Sequence, residues 1–146
     1  MMMTYNQIID TFQSIANSHL QIHNFGDGLL EDINTIKENG GKFPVLWVIP
    51  QSAELGENGL NYKMRVLVFD IDETADTFRR NILSDTLQIL NDVIKNFKND
   101  SDDYYVGGVN TALPFTQNFA DYVTGWYIDI NIETGIDNNP CDSPEE

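Results

Sequence analysis

Two apolar runs, "FPVLWVIP" (residues 43–50) and "LNYKMRVLVFDID" (60–72), are joined by very little chain. A parallel crossover needs roughly a dozen residues or more, usually including a helix. The joining "QSAELGENG" (51–59) has no helical stripe and holds Asn58-Gly59, a turn signal. The two runs are therefore expected to pair as an antiparallel hairpin. The first is apolar on both faces and reads as a buried strand bracketed by Pro44 and Pro50. In the second, Tyr62, Met64, Val66 and Val68 share one face by their period of two.

Helical spacing flanks this hairpin. Thr4 with Gln7 matches a capping box, in which each side chain satisfies an end amide. Tyr5, Ile8, Ile9, Phe12, Ile15, Ala16, His19 and Leu20 follow, which predicts a helix over 5–22, broken by the glycines of "NFGDGLL". After the hairpin, "RRNILSDTLQILNDVIKNFKND" carries a stripe of Leu83, Leu87, Leu90, Val93, Ile94 and Phe97. Asp76 or Ser84 suits its start, and Lys95 and Lys98 suit its negative C-terminal end. Residues 99–121 form a connection too long for a silent loop, so a function or some order is expected there. In "YVTGWYIDINIET", Thr124, Trp126, Ile128, Ile130 and Ile132 alternate with Tyr127, Asp129, Asn131 and Glu133, a strand with one buried and one polar face.

The expected fold is α+β, a small mainly antiparallel sheet packed against two helices in the order α-β-β-α-β. One domain spans 1–134, and 135–146 forms an acidic, turn-rich, flexible tail. No apolar stretch is long enough for a membrane span, and "MMMTYNQ" has no basic segment leading into an apolar run, so neither membrane nor signal peptide is expected. The net charge is −15 and lopsided: every Lys and Arg falls between Lys37 and Lys98, while 99–146 holds ten acids and no base. Such a surface repels polyanions, which argues against a bound nucleic acid but not against DNA passing through an acid-lined space.

"RVLVFDIDET" (65–74) resembles the D-x-D-x-T nucleophile loop of the haloacid dehalogenase superfamily, with Asp70, Asp72 and Thr74 in the motif positions. That resemblance implies a magnesium-dependent phosphatase on a parallel, doubly wound sheet. The expected hairpin conflicts with it, and one convincing strand after residue 76 is too little to complete such a sheet. The plainer reading is a strand running through acids toward a helix N-terminus. Asp70, Asp72 and Asp76 also imitate a calcium loop, but Ala75 and Asn81 stand where glycine and glutamate belong. His19 and His23 share a helix face at the predicted spacing and lack a third ligand. "NGGKF" lacks the Ser or Thr of a phosphate loop, and Cys141 sits in the acidic tail with no nearby base. No catalytic residue, metal or cofactor is assigned.

Taken together, the first helix, "FPVLWVIP", "YKMRVLVFDID", "LSDTLQILNDVIKNF" and "GWYIDINIE" resemble the tail-terminator or tail-completion proteins of tailed bacteriophages. The neck and ring proteins of the crAss-like phages of gut Bacteroides hosts are especially similar. The resemblance covers residues 4–134 and rests on element order, not on an invariant motif. It implies a virion structural protein rather than an enzyme, forming a ring of about six or twelve copies through head-to-tail contacts. That ring would join portal or adaptor proteins to tail proteins at the head-tail junction, leaving a channel for DNA as passing cargo. Tyr104, Tyr105, Phe115 and Phe119 are candidate interface anchors, or else cover the domain's own core. Arg79 and Arg80 either pair with acids of the next subunit or form a solvated helix face. A third reading, from charge alone, is an acidic host-interaction module that mimics nucleic acid.

Overall fold

In the computed structural model the described residues are 3–29, 32, 42–57, 59–71, 79–99, 104–107, 111–118 and 122–135. They form α1 (Tyr5–Ser18), β1 (Asn24–Asp27), β2 (Val45–Gly56), β3 (Gly59–Ile71), α2 (Arg79–Asn99), β4 (Tyr104–Gly107), β5 (Ala112–Asn118) and β6 (Tyr122–Thr134). The class is α+β, with two helices and a 6-stranded sheet among the described residues. Three strands exceed the expected order, so the sheet is not small.

The hairpin forms as expected. β2 pairs antiparallel with β3 from Val45↔Phe69 to Gly56↔Gly59. It does not stop at Pro50, however: β2 continues through a register shift between Pro50 and Ser52. Proline is tolerated there because β1 flanks β2 only at Val45–Val48, leaving Pro50 on an edge among the described residues. Among the described residues β1 is the one parallel strand, formed from the stretch expected only to break the first helix.

β6 lies between β3 and the far edge of the sheet. It lies antiparallel to β3 along Leu60–Ile71 and carries β4 and β5 end to end on its other side. β4 pairs Tyr104↔Thr134 through Gly107↔Asn131, and β5 resumes at Ala112↔Ile128. The long connection thus holds two strands, and three strands follow residue 76 where one was expected.

Both helices pack on one face. α1 ends at Ser18, with His19 as an extended C-cap, shorter than the predicted span. Its capping box forms as predicted: Gln7 N–H donates to Thr4 Oγ1 and Thr4 N–H to Gln7 Oε1. The core joins Ile8, Phe12, Leu46, Val48, Met64, Val66, Ile130, Ile132 and Phe97, with Phe12 stacked on Phe97 at 4.1 Å. α2 buries Leu90, Val93, Ile94 and Phe97 of the expected stripe together with Ile82, Thr86 and Ile89, while Leu83 is half-buried and Leu87 is 39% exposed. The buried face therefore keeps the C-terminal part of the expected stripe and turns toward Ile82, Thr86 and Ile89 nearer its start. Thr86 is tolerated inside because its hydroxyl donates to the Ile82 carbonyl at 2.6 Å. Ser84 lies within the helix rather than capping it, and Asp76 is outside the described residues.

Candidate functional site

The sheet face opposite the helices holds a second apolar cluster of Val45, Trp47, Ile49, Leu67, Phe69 and Val123, with Phe43, Phe115 and Tyr127 against it. Residues of β2 and β3 are therefore apolar on both faces, and the expected polar side of β6 is aromatic at Tyr127. Gly26 lies opposite Trp47 and makes room for its ring; a Cβ there would come within 2.1 Å of Cζ3. The buried Trp47 Nε1–H has no acceptor among the described residues.

The period of two divides the predicted aromatics between these faces. Tyr104 lies opposite Thr134 and turns into the helix-side core. Its ring stacks on Phe97 at 4.6 Å and its hydroxyl donates to the Phe97 carbonyl. Tyr104 is 7% exposed. Its neighbour Tyr105 turns the other way beside Glu133 and is 59% exposed. Phe115 also lies on the helix-free face, edge-on to Phe69 at 6.0 Å and 6.1 Å from Tyr127. Leu113, opposite Tyr127, is 48% exposed. Phe119 lies outside the described residues.

Tyr105, Leu113, Phe115 and Tyr127 thus form an aromatic border along the β4–β5 edge. Arg65 holds its charged end. Its Nε and Nη2 donate to Asp129 Oδ1 and Oδ2 at 2.8 and 3.1 Å, and its guanidinium lies 4.4 Å over the Tyr127 ring. The hydrogen bond to Asp129 raises the arginine pKa, with burial opposing. Both partners of this pair are solvent-exposed enough that it orients the surface more than it stabilises the fold. Arg79 and Arg80 open α2, the former half-buried and the latter exposed. They sit where the helix dipole favours acids, so helix stability does not explain them.

The motif residues lie elsewhere. Asp70 is the penultimate residue of β3 and pairs with Thr124 of β6; both strands beside β3 run antiparallel to it. Burial raises its pKa, while the Ile71 N–H at 2.7 Å acts against that rise. Asp72, Thr74, Asp76 and Cys141 are outside the described residues. His19 and His23 do not share a helix face, because the helix ends before both. His19 Nε2 meets Asp92 at 3.1 Å and His23 Nδ1 meets the Phe43 carbonyl at 2.7 Å. Among the described residues no three His, Cys, Asp or Glu side chains are placed to hold a metal, and no helix is long and apolar enough to cross a membrane.

The second surface feature is the hairpin itself. Beyond Ile49 every β2 residue to Gly56 is exposed, and among the described residues no strand flanks its outer edge there. Leu55 near the tip is 84% exposed. Sequence reading assigned neither Leu55 nor Leu113 a role. The signal for Leu55 was a lone leucine among acids and glycines, in a stretch read only as a turn. The chain matches no protein-family model and no curated protein.

Proposed function

We propose that this chain is a non-enzymatic, self-assembling structural subunit. In this reading it forms a ring at the head-tail junction of a tailed phage, contacting itself, portal-side adaptor proteins and tail proteins while DNA passes through the lumen. The observation that carries the reading is the β2–β3 hairpin overhang. It presents an exposed strand edge and an exposed leucine on one flank of the sheet, and the aromatic border of β4 and β5 occupies the other flank. Dissimilar surfaces on opposite flanks suit head-to-tail contacts, which close into rings when the rotation allows. The charge of −15 agrees with a lumen that does not retain DNA.

Mass photometry of the purified chain at low and high salt, with negative-stain images, tests this. A closed species of defined copy number is expected. A chain that stays monomeric and hydrolyses a chromogenic phosphate ester, with the activity lost in Asp70→Asn, would replace the proposal with the phosphatase reading.

A further inference from the structure

α2 begins over the end of the sheet where β3 runs out. The Trp126 indole N–H of β6 donates to the Leu83 carbonyl at 2.8 Å, which ties the first turns of the helix to the sheet. Trp126 pairs with Val68, and both belong to the helix side. Two residues further along β3, and therefore on the same face, Asp70 pairs with Thr124, about 7 Å away along the strands. Thr124 is fully buried, and its hydroxyl meets that of Thr116 at 3.3 Å. A carboxyl group thus continues the face on which Met64, Val66 and Val68 pack into the core.

Asp70 is half-buried, and its surroundings do little for a negative charge. Among the described residues it accepts one hydrogen bond, from the adjacent Ile71 N–H at 2.7 Å. α2 brings a second acid, the exposed Asp85, into range. His23 acts the other way when protonated. Its backbone N–H donates to the Pro44 carbonyl at 3.0 Å and its ring meets the Phe43 carbonyl at 2.7 Å, which holds it beside the start of β2. Arg79 and Arg80 open α2 about two turns before Asp85, and β6 offers the neutral Thr124 in this row. Asp72, Glu73 and Asp76 follow in the sequence between β3 and α2. Burial is the largest influence and raises the Asp70 pKa above its ordinary 3.8; the Ile71 N–H lowers it, Asp85 raises it and His23 lowers it. The folded value is the higher one, so the stability linked to Asp70 is complete below the ordinary value and is lost as pH rises through the folded value.

We propose that Asp70 is an acid-operated latch: its protonated form seats the first turns of α2 on the end of the sheet, and its ionised form loosens them. The protonated carboxyl is neutral, so it costs less to bury, no longer repels Asp85, and gains an O–H donor. The latch is independent of the self-assembly reading, since every group in it belongs to one chain.

Lowering the pH also reduces the net charge of −15 and relieves repulsion throughout the chain. Comparison of wild type with Asp70→Asn at each pH isolates the latch, because the substitution keeps the shape and removes the charge. Asp70→Asn is expected to raise Tm by a few degrees at about pH 7 and to leave it unchanged at about pH 3, where the wild-type carboxyl is already protonated. The Trp126 indole N–H is the local probe, with Trp47 on the opposite face as the control. Its protection from hydrogen exchange is expected to rise several-fold in wild type between about pH 7 and about pH 5, and to change less in Asp70→Asn. In wild type, a carboxyl titration followed by NMR should place Asp70 above 3.8, and Asp85→Asn should move that midpoint down. A Tm at neutral pH that Asp70→Asn leaves unchanged or lowers overturns the latch, as does equal pH dependence of Trp126 protection in the two proteins. So does a wild-type Asp70 that titrates at or below 3.8, a result that needs no variant.

Discussion

Val45–Ile49 and Pro50–Gly56 belong to one strand and share one partner strand, yet every residue of the first segment is buried and every residue of the second is exposed. In the first segment Leu46 and Val48 meet the helices, while Val45, Trp47 and Ile49 meet the opposite cluster. β1 closes the edge there. In the second, the ladder to β3 continues without a neighbour on the outer side among the described residues, and Ala53 and Leu55 have no helix over them. Pairing alone is enough to continue a strand; burial requires cover on both faces and at the edge. A segment that is paired and left uncovered is available to another surface, and this one ends in a leucine.

Breaking the covered half is expected to have the larger consequences. Val45, Phe69 and Gly125 lie in one row across β2, β3 and β6. A Cβ on Gly125 would sit 2.0 Å from the Val68 carbonyl oxygen and 2.6 Å from Phe69 Cα, both backbone atoms that cannot swing aside. Gly125→Val is expected to separate β3 from β6 and abolish cooperative folding, seen as loss of the thermal transition in circular dichroism. Phe69→Ala in the same row removes a side chain that is fully buried. It is expected to cost about 3–5 kcal/mol in urea denaturation; a loss below about 1 kcal/mol would mean that the helix-free cluster is loosely packed.

Gly26→Ala probes the edge cover. The new methyl meets the Trp47 ring at 2.1 to 2.9 Å, so the indole must shift. A loss of about 1–3 kcal/mol is expected, with a change in tryptophan fluorescence. At the end of β1, burial pushes the Tyr5 pKa up to about 12, helped by the charge of Asp27 and the hydrogen bond to it. The folded value lies above the ordinary one, so the Tyr5 contribution is complete below about pH 10 and is lost as pH rises toward about 12. Ultraviolet titration should show delayed phenolate formation, to which Tyr62, also raised by burial, contributes, and Asp27→Asn should bring the Tyr5 step alone down. The smallest stability effect belongs to the overhang. Leu55→Asp is expected to change unfolding free energy by no more than about 0.5 kcal/mol, because that side chain is 84% exposed. A substantial loss would show that Leu55 supports its own domain, and the contrast between the two halves of β2 would fail.

Local patterns carried much of the architecture. Short connection length and Asn58-Gly59 specified the antiparallel hairpin, which also removed the parallel sheet that Asp70 would need as a phosphatase nucleophile. Thr4 and Gln7 specified the start of α1, and the alternation in β6 specified which residues meet the helices. These features depend on residues a few positions apart, so their physics is contained in the sequence.

Other features depended on what comes alongside. β4 and β5 have mixed composition and become strands because β6 offers them its edge. Tyr104 and Tyr105 are identical neighbours in the chain; only the register with Thr134 and Glu133 turns one into the core and leaves the other outside. α2 buries the C-terminal part of its apolar stripe as its spacing predicts, but packing against β3 and β6 also covers Ile82, Thr86 and Ile89 and leaves Leu87 partly exposed. The sequence by itself determined the hairpin, the two helices and the alternation of the last strand, since short-range sterics and hydrogen bonding act within a few residues. Which faces are covered, and therefore which side chains remain for a partner, was decided only by tertiary structure, because burial depends on residues distant in the chain.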